Sequence, residues 1–185
     1  MAVFLSYNIY SRAISERALR GRANSTHSFL EEYSFEVIVF YIVAFAWLVL
    51  DQITKYFVQT HMSLGESIPV IPGFFHWTYI INHGAAFGIL RDQRWFFLAI
   101  VLILLGVAYY YRPLILKGPG YLKVGAALLL SGAIGNAIDR FLYHGVVDFF
   151  DFRVWPIFNV ADIGICLGIL MVAYYLIKED AEEAE

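Results

Sequence analysis

Four long apolar stretches constrain this chain more than any other feature. They cover residues 35–58, 95–111, 121–138 and 160–177. A helix that crosses about 30 Å of hydrocarbon needs about 20 mostly apolar residues, and each stretch approaches that length. Of all residues, 60% are hydrophobic and only 16% are charged, whereas a soluble domain carries about 25% charged residues. The sequence therefore predicts an all-α membrane protein with four transmembrane helices in one bundle.

Composition also excludes several classes of function. The formal net charge is −3, which argues against nucleic acid as a partner because phosphate binding needs a basic surface. The single cysteine, Cys166, lies in an apolar stretch and is expected to be inert packing. The five histidines include no pair with metal-ligand spacing, so we expect no metal and no cofactor. Ser131 has no histidine in another helix core to activate it as a nucleophile.

The distribution of lysine and arginine predicts the orientation. With both termini in the cytoplasm, eight basic residues lie on the inner side and five on the outer side, which agrees with the positive-inside rule. The outer five are Lys55, Arg91, Arg94, Arg140 and Arg153. Residues 35–178 are then the membrane domain, and residues 179–185 form an acidic cytoplasmic tail. Residues 1–34 form a cytoplasmic extension, predicted to be disordered, with a short basic helix on the inner leaflet as the alternative.

The outer loop, residues 59–93, is too long to be a simple connection. Within it, residues 74–81 are aromatic and β-branched and follow Pro69, Pro72 and Gly73, a pattern typical of a strand. We therefore expect a small extracytoplasmic β platform on the membrane surface.

Small residues predict where helices touch. Small side chains at four-residue spacing let helix backbones approach closely in lipid. They recur on the third and fourth apolar stretches, at Ala127, Ser131 and Gly135 and at Gly164 and Gly168.

Acidic residues in or beside the helices are few, and the predicted topology brings them to the outer face. A carboxylate at membrane depth is costly and usually faces the bundle interior with a function. Two carboxylates in an apolar cleft cannot both ionise easily, so they share a proton; one can act as base on water while the other polarises a carbonyl. Such a pair hydrolyses peptides without a metal. The outer acids are Asp51, Asp139, Asp148 and Asp162.

Five short blocks surround these acids in a specific order. They are DQITK at 51–55, NHGAAF at 82–87, GNAIDR at 135–140, GVVDF at 145–149 and FNVAD at 158–162. Together they resemble the blocks of the lipoprotein signal peptidase (signal peptidase II) family, a family of bacterial membrane aspartic peptidases. The resemblance extends from about residue 37 to residue 177. One departure is Ile163, where many members have serine after the second aspartate.

The resemblance implies roles for individual residues. Asp148 and Asp162 would be the catalytic pair. The residues that would hold the substrate or support the site are Asn82, Asn136, Arg140, Asp51, Lys55 and Asn159. The implied partners are membrane lipids and diacylglyceryl-modified prolipoproteins, which the enzyme would cut before the lipidated cysteine. The implied location is the bacterial cytoplasmic (inner) membrane, with the active site toward the outer leaflet and the protein a monomer.

Other interpretations of the same residues remain open at this point. Asp139 fits an ion pair with Arg140 or a helix-end charge, and Asp51 with Lys55 fits an ordinary intrahelical pair. Asp151 is expected to be a solvated loop residue. A proton-coupled small transporter would use Asp51, Asp148 and Asp162 as a relay across the membrane, and a structural assembly factor would tolerate changes at each aspartate.

Overall fold

The computed structural model describes residues 23–84 and 90–183. Its first helix, α1, runs from Ala23 to His61. No glycine or proline interrupts these residues, so nothing in the sequence breaks the backbone hydrogen bonding. Residues 1–22 of the predicted extension lie outside the described part. Residues 23–34, which were expected to be disordered, continue α1 toward the N-terminus.

Four further helices follow in the described chain. They are α2 (Arg94–Tyr110), α3 (Arg112–Lys117), α4 (Gly120–Tyr143) and α5 (Val160–Glu183). Three helical segments are long and apolar enough to cross a membrane: Val37–His61 within α1, the whole of α4, and Val160–Glu182 within α5. The fourth predicted span corresponds to α2, which has 17 residues and is shorter than such a segment.

The helix α4 occupies the centre of the bundle, packed on α5 and α1. Close backbone approach between α4 and α5 depends on glycine. A Cβ on Gly168 would meet the Gly125 carbonyl, and one on Gly132 would meet the Ala161 carbonyl. The predicted contact at Gly168 is therefore confirmed, whereas a Cβ on Gly164 would meet the Trp47 indole of α1 first and the Leu128 carbonyl of α4 next. Gly135 has a different neighbour, because a Cβ there would meet the carboxylate of Asp51 in α1.

The predicted platform is a three-stranded antiparallel sheet in the order β1 (Ser67–Ile71), β2 (Phe75–Asn82) and β3 (Val146–Asp151). The sheet follows the end of α1 and the end of α4, and α2 and α5 begin just after it in the chain. Val147 and Phe149 of β3 pack with Val58 and Val160, the last two from α1 and α5. This apolar contact fixes the sheet to the end of the bundle at which the acidic residues lie.

Asp151 was predicted to be a solvated loop residue, and this prediction was wrong. It is 4% exposed and is the last residue of β3. Its carboxylate accepts a hydrogen bond from Thr78 Oγ1 at 2.8 Å and pairs with Arg153 Nη1 at 2.8 Å. Cross-strand pairing with β2 places the side chain beside Thr78, and the chain just after β3 brings Arg153 to it. These two partners satisfy the carboxylate in place of water.

Candidate active site

Asp148 and Asp162 lie on different elements and share their neighbours. Asp148 belongs to β3 and is 2% exposed. Its two oxygens accept hydrogen bonds from Asn82 Nδ2 at 3.0 Å and Asn159 Nδ2 at 2.7 Å. Asp162 lies in the first turn of α5 and accepts from Asn136 Nδ2 at 2.8 Å. Three side-chain amides therefore hold the two carboxylates in the cleft between the sheet and the bundle.

Asn159 connects the two aspartates and also begins α5. Its Oδ1 accepts from the backbone N–H of Asp162 at 2.9 Å, and its own backbone N–H donates to Asp162 Oδ2 at 3.2 Å. This reciprocal pair is a capping box, which satisfies amide groups that the first turn of a helix leaves unbonded. The same local motif that starts the helix therefore fixes the direction of the Asp162 side chain.

The electrostatic state of Asp148 follows from its surroundings. Burial raises the pKa of the Asp148 carboxyl to about 7, and the nearby charge of Asp162 contributes in the same direction. The hydrogen bonds from Asn82 and Asn159 and the charge of Lys55 oppose this rise in pKa. Asp148 can therefore keep a proton near neutral pH while a carboxylate lies beside it, as a shared-proton pair requires.

Behind the pair, Lys55 is buried among oxygen acceptors. Its Nζ lies 2.9 Å from Asp51 Oδ2, 3.0 Å from Asp139 Oδ2 and 3.0 Å from Asn136 Oδ1. An ammonium group has three donors, and each has an acceptor here. The intrahelical pair of Asp51 and Lys55 exists, but it is one part of a network that reaches α4.

The predicted ion pair between Asp139 and Arg140 was wrong, because Asp139 has a different partner. Asp139 pairs with Lys55 and accepts from the backbone N–H of Val147 at 3.0 Å. Neighbouring residues on a helix point in directions about 100° apart, so Asp139 and Arg140 face different surroundings.

Arg140 lies at the mouth of the cleft and binds two backbone carbonyls. Its Nη1 donates to Asn136 O and its Nη2 to Gly84 O, each at 3.3 Å. Its guanidinium carbon lies 4.3 Å from the centre of the Phe97 ring, within the range of a cation–π contact. Its charge also acts on Asp148 and Asp162. Arg140 therefore joins α4, the segment after β2 and the start of α2 around the carboxylates.

The structure brings together every residue that the resemblance implied, and it adds three that were not assigned a role. These are Gln52, which donates to Asp51 and Asp139, Asp139 itself, and Phe97. Gln52 and Asp139 lie within the blocks at 51–55 and 135–140, so their position in a motif was a usable signal. Phe97 had no such signal.

The rival interpretations lose support from the same geometry. Ser131 Oγ donates to Leu128 O within its own helix, as an ordinary helical serine does. Asp51, Asp139, Asp148 and Asp162 form one cluster at one end of the bundle, whereas a transmembrane proton relay requires acids distributed across the membrane.

An apolar helical bundle with two hydrogen-bonded carboxylates at one end is an arrangement typical of a membrane peptidase. The family model for signal peptidase (SPase) II matches residues 43–178. A lipoprotein signal peptidase of Halothermothrix orenii is 40% identical over 76% of this chain and 96% of its own length. A second, from Listeria welshimeri, is 42% identical over 76% of this chain and 94% of its own length.

Solved structures agree with these relatives. One structure of a bacterial membrane enzyme superimposes with a TM-score of 0.71 at 36% identity, covering 78% of this chain and 90% of that one. Another gives a TM-score of 0.67 at 37% identity, covering 76% and 93%. The chain belongs to the signal peptidase II family and is a peptidase.

Proposed function

We propose that this protein removes the signal peptide from diacylglyceryl-modified prolipoproteins, cutting before the lipidated cysteine, with Asp148 and Asp162 as its catalytic residues. The observation that carries the proposal is the pair of carboxylates itself. Two carboxylates lie in one cleft, bridged by Asn159, and the pKa of Asp148 is raised to about 7 by burial and by its partner's charge.

The surroundings of the two aspartates indicate which one acts as the base and which one keeps its proton. Asp162 accepts from Asn136 and from the backbone N–H of Asn159, and it lies at a helix N-terminus, where the helix dipole favours a negative charge. Asp162 ionised and Asp148 protonated is therefore the working state. In that state Asp162 takes a proton from water, the water oxygen attacks the scissile carbonyl, and Asp148 donates its hydrogen bond to the carbonyl oxygen.

Collapse of the tetrahedral intermediate returns the carboxylates to their starting states. The C–N bond breaks, and the leaving nitrogen receives the proton that Asp162 took from water. Asp148 again holds its own proton when the carbonyl re-forms. No redox partner enters the balance.

The charge pattern supports a membrane orientation with the site toward the outer leaflet. Consecutive long helices meet the sheet in turn: α1 ends there, α2 leaves it, α4 returns and α5 leaves again. Eight of the 13 basic residues are assigned to the inner side and five to the outer side, and this excess supports the orientation.

The helix α2 completes a four-span bundle in this proposal. Its 17 residues extend about 25 Å, somewhat less than the hydrocarbon core. Its hydrogen bonding continues through Tyr111, whose N–H donates to Val107 O and whose carbonyl accepts from Ile115, into α3. A short span is accommodated by local thinning of the bilayer.

A groove between α2 and α4 suits the lipid of the substrate. Its volume is about 660 Å³. Every residue along it is apolar or aromatic, so hydrocarbon is the ligand chemistry it favours. The lining residues include Trp95, Leu98, Leu102, Ile134, Ala137 and Phe141.

Replacement of Asn82 by alanine tests whether the platform contributes to catalysis. The change removes the hydrogen bond that Asn82 donates to Asp148. Asp148 is protonated in the proposed working state, and a hydrogen bond between neutral groups contributes about 0.5–1.5 kcal/mol, so we expect kcat to fall about two- to tenfold. The measurement is a gel-shift cleavage assay on a lipidated prolipoprotein, with enzyme purified from a host that lacks its own signal peptidase II.

Thr78→Val is the matched control for Asn82→Ala. Thr78 lies on the same strand and also donates to an aspartate of β3, but that aspartate is Asp151. Loss of the Thr78 hydroxyl should leave kcat nearly unchanged. Wild-type kinetics in Asn82→Ala would remove the platform from the site.

A further inference from the structure

Two buried carboxylates hold the backbone just before each catalytic aspartate. Asp51 Oδ1 accepts from the N–H of Ala161 at 2.8 Å, and Ala161 immediately precedes Asp162. Asp139 Oδ2 accepts from the N–H of Val147 at 3.0 Å, and Val147 immediately precedes Asp148. The first carboxylate belongs to α1 and the second to α4, so each working aspartate is tied by its own backbone to a different helix.

Lys55 joins the two carboxylates to each other. Its Nζ contacts both at 2.9 and 3.0 Å, and it also donates to Asn136, which in turn donates to Asp162. Lys55 and Asp51 are 2% and 0% exposed. Buried charges are tolerated when each is paired and hydrogen-bonded, and such a group is rigid because any displacement leaves a charge unpaired.

We infer that Lys55, Asp51 and Asp139 act together as a positioning device that sets the separation of Asp148 and Asp162. The inference rests on the proposed function, since it concerns the same pair. None of the three reaches the substrate in this arrangement. They act through the backbone N–H groups of Ala161 and Val147.

Position matters for such a pair because the shared proton and the attacking water need a defined geometry. A misplacement of about 1 Å in a catalytic group can lower the rate about a hundredfold. Without the two tethers, β3 and the start of α5 keep the Asn159 hydrogen bonds, the backbone bridge between Phe150 and Phe158 and the apolar packing. They lose the backbone hydrogen bonds to the carboxylates of α1 and α4. The loss should therefore appear in kcat. KM should change little, because the proposed contact with the substrate lipid lies in the apolar groove, which none of the three residues lines.

The carboxylates of Asp51 and Asp139 differ in whether one oxygen or two accept their hydrogen bonds, and this difference can be tested by mutation. Asp139 accepts from Val147 and from Lys55 on the same oxygen, Oδ2. An asparagine at 139 can keep both bonds with its single carbonyl oxygen, and only the contact with Gln52 changes. Asp51 accepts from Ala161 on Oδ1 and from Lys55 on Oδ2. An asparagine at 51 must lose one of the two.

The experiment compares Asp51→Asn with Asp139→Asn in the purified enzyme, with Asp139→Ala as a third variant. Each asparagine variant removes one negative charge beside the same lysine, so they are matched in chemistry and in charge. The inference predicts that Asp139→Asn keeps kcat within about fivefold of wild type and that Asp51→Asn and Asp139→Ala lose about a hundredfold. KM for the lipidated prolipoprotein is expected to stay within about twofold in all three.

The outcome separates this inference from the proposed function. Equal kcat in the two asparagine variants, or a larger loss at 139, would overturn the positioning role even if Asp148→Asn is inactive. If Asp139→Ala does not accumulate in the membrane, the two asparagine variants still decide the question. An active Asp148→Asn would instead overturn the proposed function.

Discussion

Asp148→Asn and Asp162→Asn are each expected to lower kcat for prolipoprotein cleavage about 10³- to 10⁴-fold, the scale of a lost general acid or base combined with a lost proton partner. An amide at either position can neither give up nor accept the shared proton. Asparagine has the same shape, and its single oxygen can keep one of the two hydrogen bonds that each carboxylate accepts. The gel-shift assay measures the loss, and thermal unfolding in detergent shows that the fold persists.

Asp151→Asn is the control for this pair of variants. Asp151 is also a buried aspartate of β3 with hydrogen-bonding partners, but it lies at the far end of the strand beside Thr78 and Arg153. The Asp151→Asn variant should cleave the prolipoprotein at close to the wild-type rate. Turnover above about a tenth of wild type in both Asp148→Asn and Asp162→Asn would contradict an aspartic mechanism.

Arg140→Lys is expected to lower kcat/KM about a hundredfold. Arginine presents a planar fork of donors, and here two of its nitrogens bind carbonyls of separate segments, Asn136 O and Gly84 O. A lysine keeps the charge but has a single nitrogen, which cannot hold both carbonyls in this geometry and stacks less well on Phe97. Loss of this arrangement misplaces the segment after β2 relative to the carboxylates.

The control for Arg140→Lys is Arg153→Lys. Arg153 also has a guanidinium group bound within the protein, but its partner is Asp151 at the end of β3. The paired measurement is kcat/KM together with the amount of protein inserted in the membrane. If Arg140→Lys cleaves like wild type at normal insertion, positive charge alone suffices and the fork has no role.

The helices could be predicted because a long apolar stretch indicates that lipid, rather than water, surrounds it. A run of apolar residues long enough to cross lipid must satisfy its backbone within the segment, and a helix does so. The boundaries were less certain. α4 continues to Tyr143, beyond the predicted end at residue 138, because Asp139 and Arg140 are satisfied inside the site and need not leave the helix for water.

The candidate site could be located from motifs, but its connections could not. Asp139 next to Arg140 in sequence suggests an ion pair, whereas its actual partner Lys55 is 84 positions away and becomes a neighbour only when α1 packs on α4. Asp151 likewise gains its partner Thr78 only through strand pairing. Spacing along one helix is visible in a sequence, but the contacts between elements depend on packing.

Asn159 is a second example of a residue whose contacts depend on packing between elements. Its role as helix cap follows from its place before Val160 and three residues before Asp162. Its contact with Asp148, at 2.7 Å, depends on β3 crossing the start of α5. The family resemblance of the block at 158–162 identified the residue, and only the fold revealed that it joins both carboxylates.

The central claim is that Asp148 and Asp162 share one proton, and the pH dependence of kcat/KM tests it most directly. The charged groups that act on Asp148 are Asp162, Lys55 and Arg140. Because the pKa of Asp148 is raised to about 7, the proton needed to polarise the carbonyl is present below that pH and is lost above it. We therefore expect kcat/KM to fall about tenfold per pH unit above about pH 7. A value of kcat/KM that stays constant to about pH 9, with enzyme and substrate stable, would contradict the shared proton.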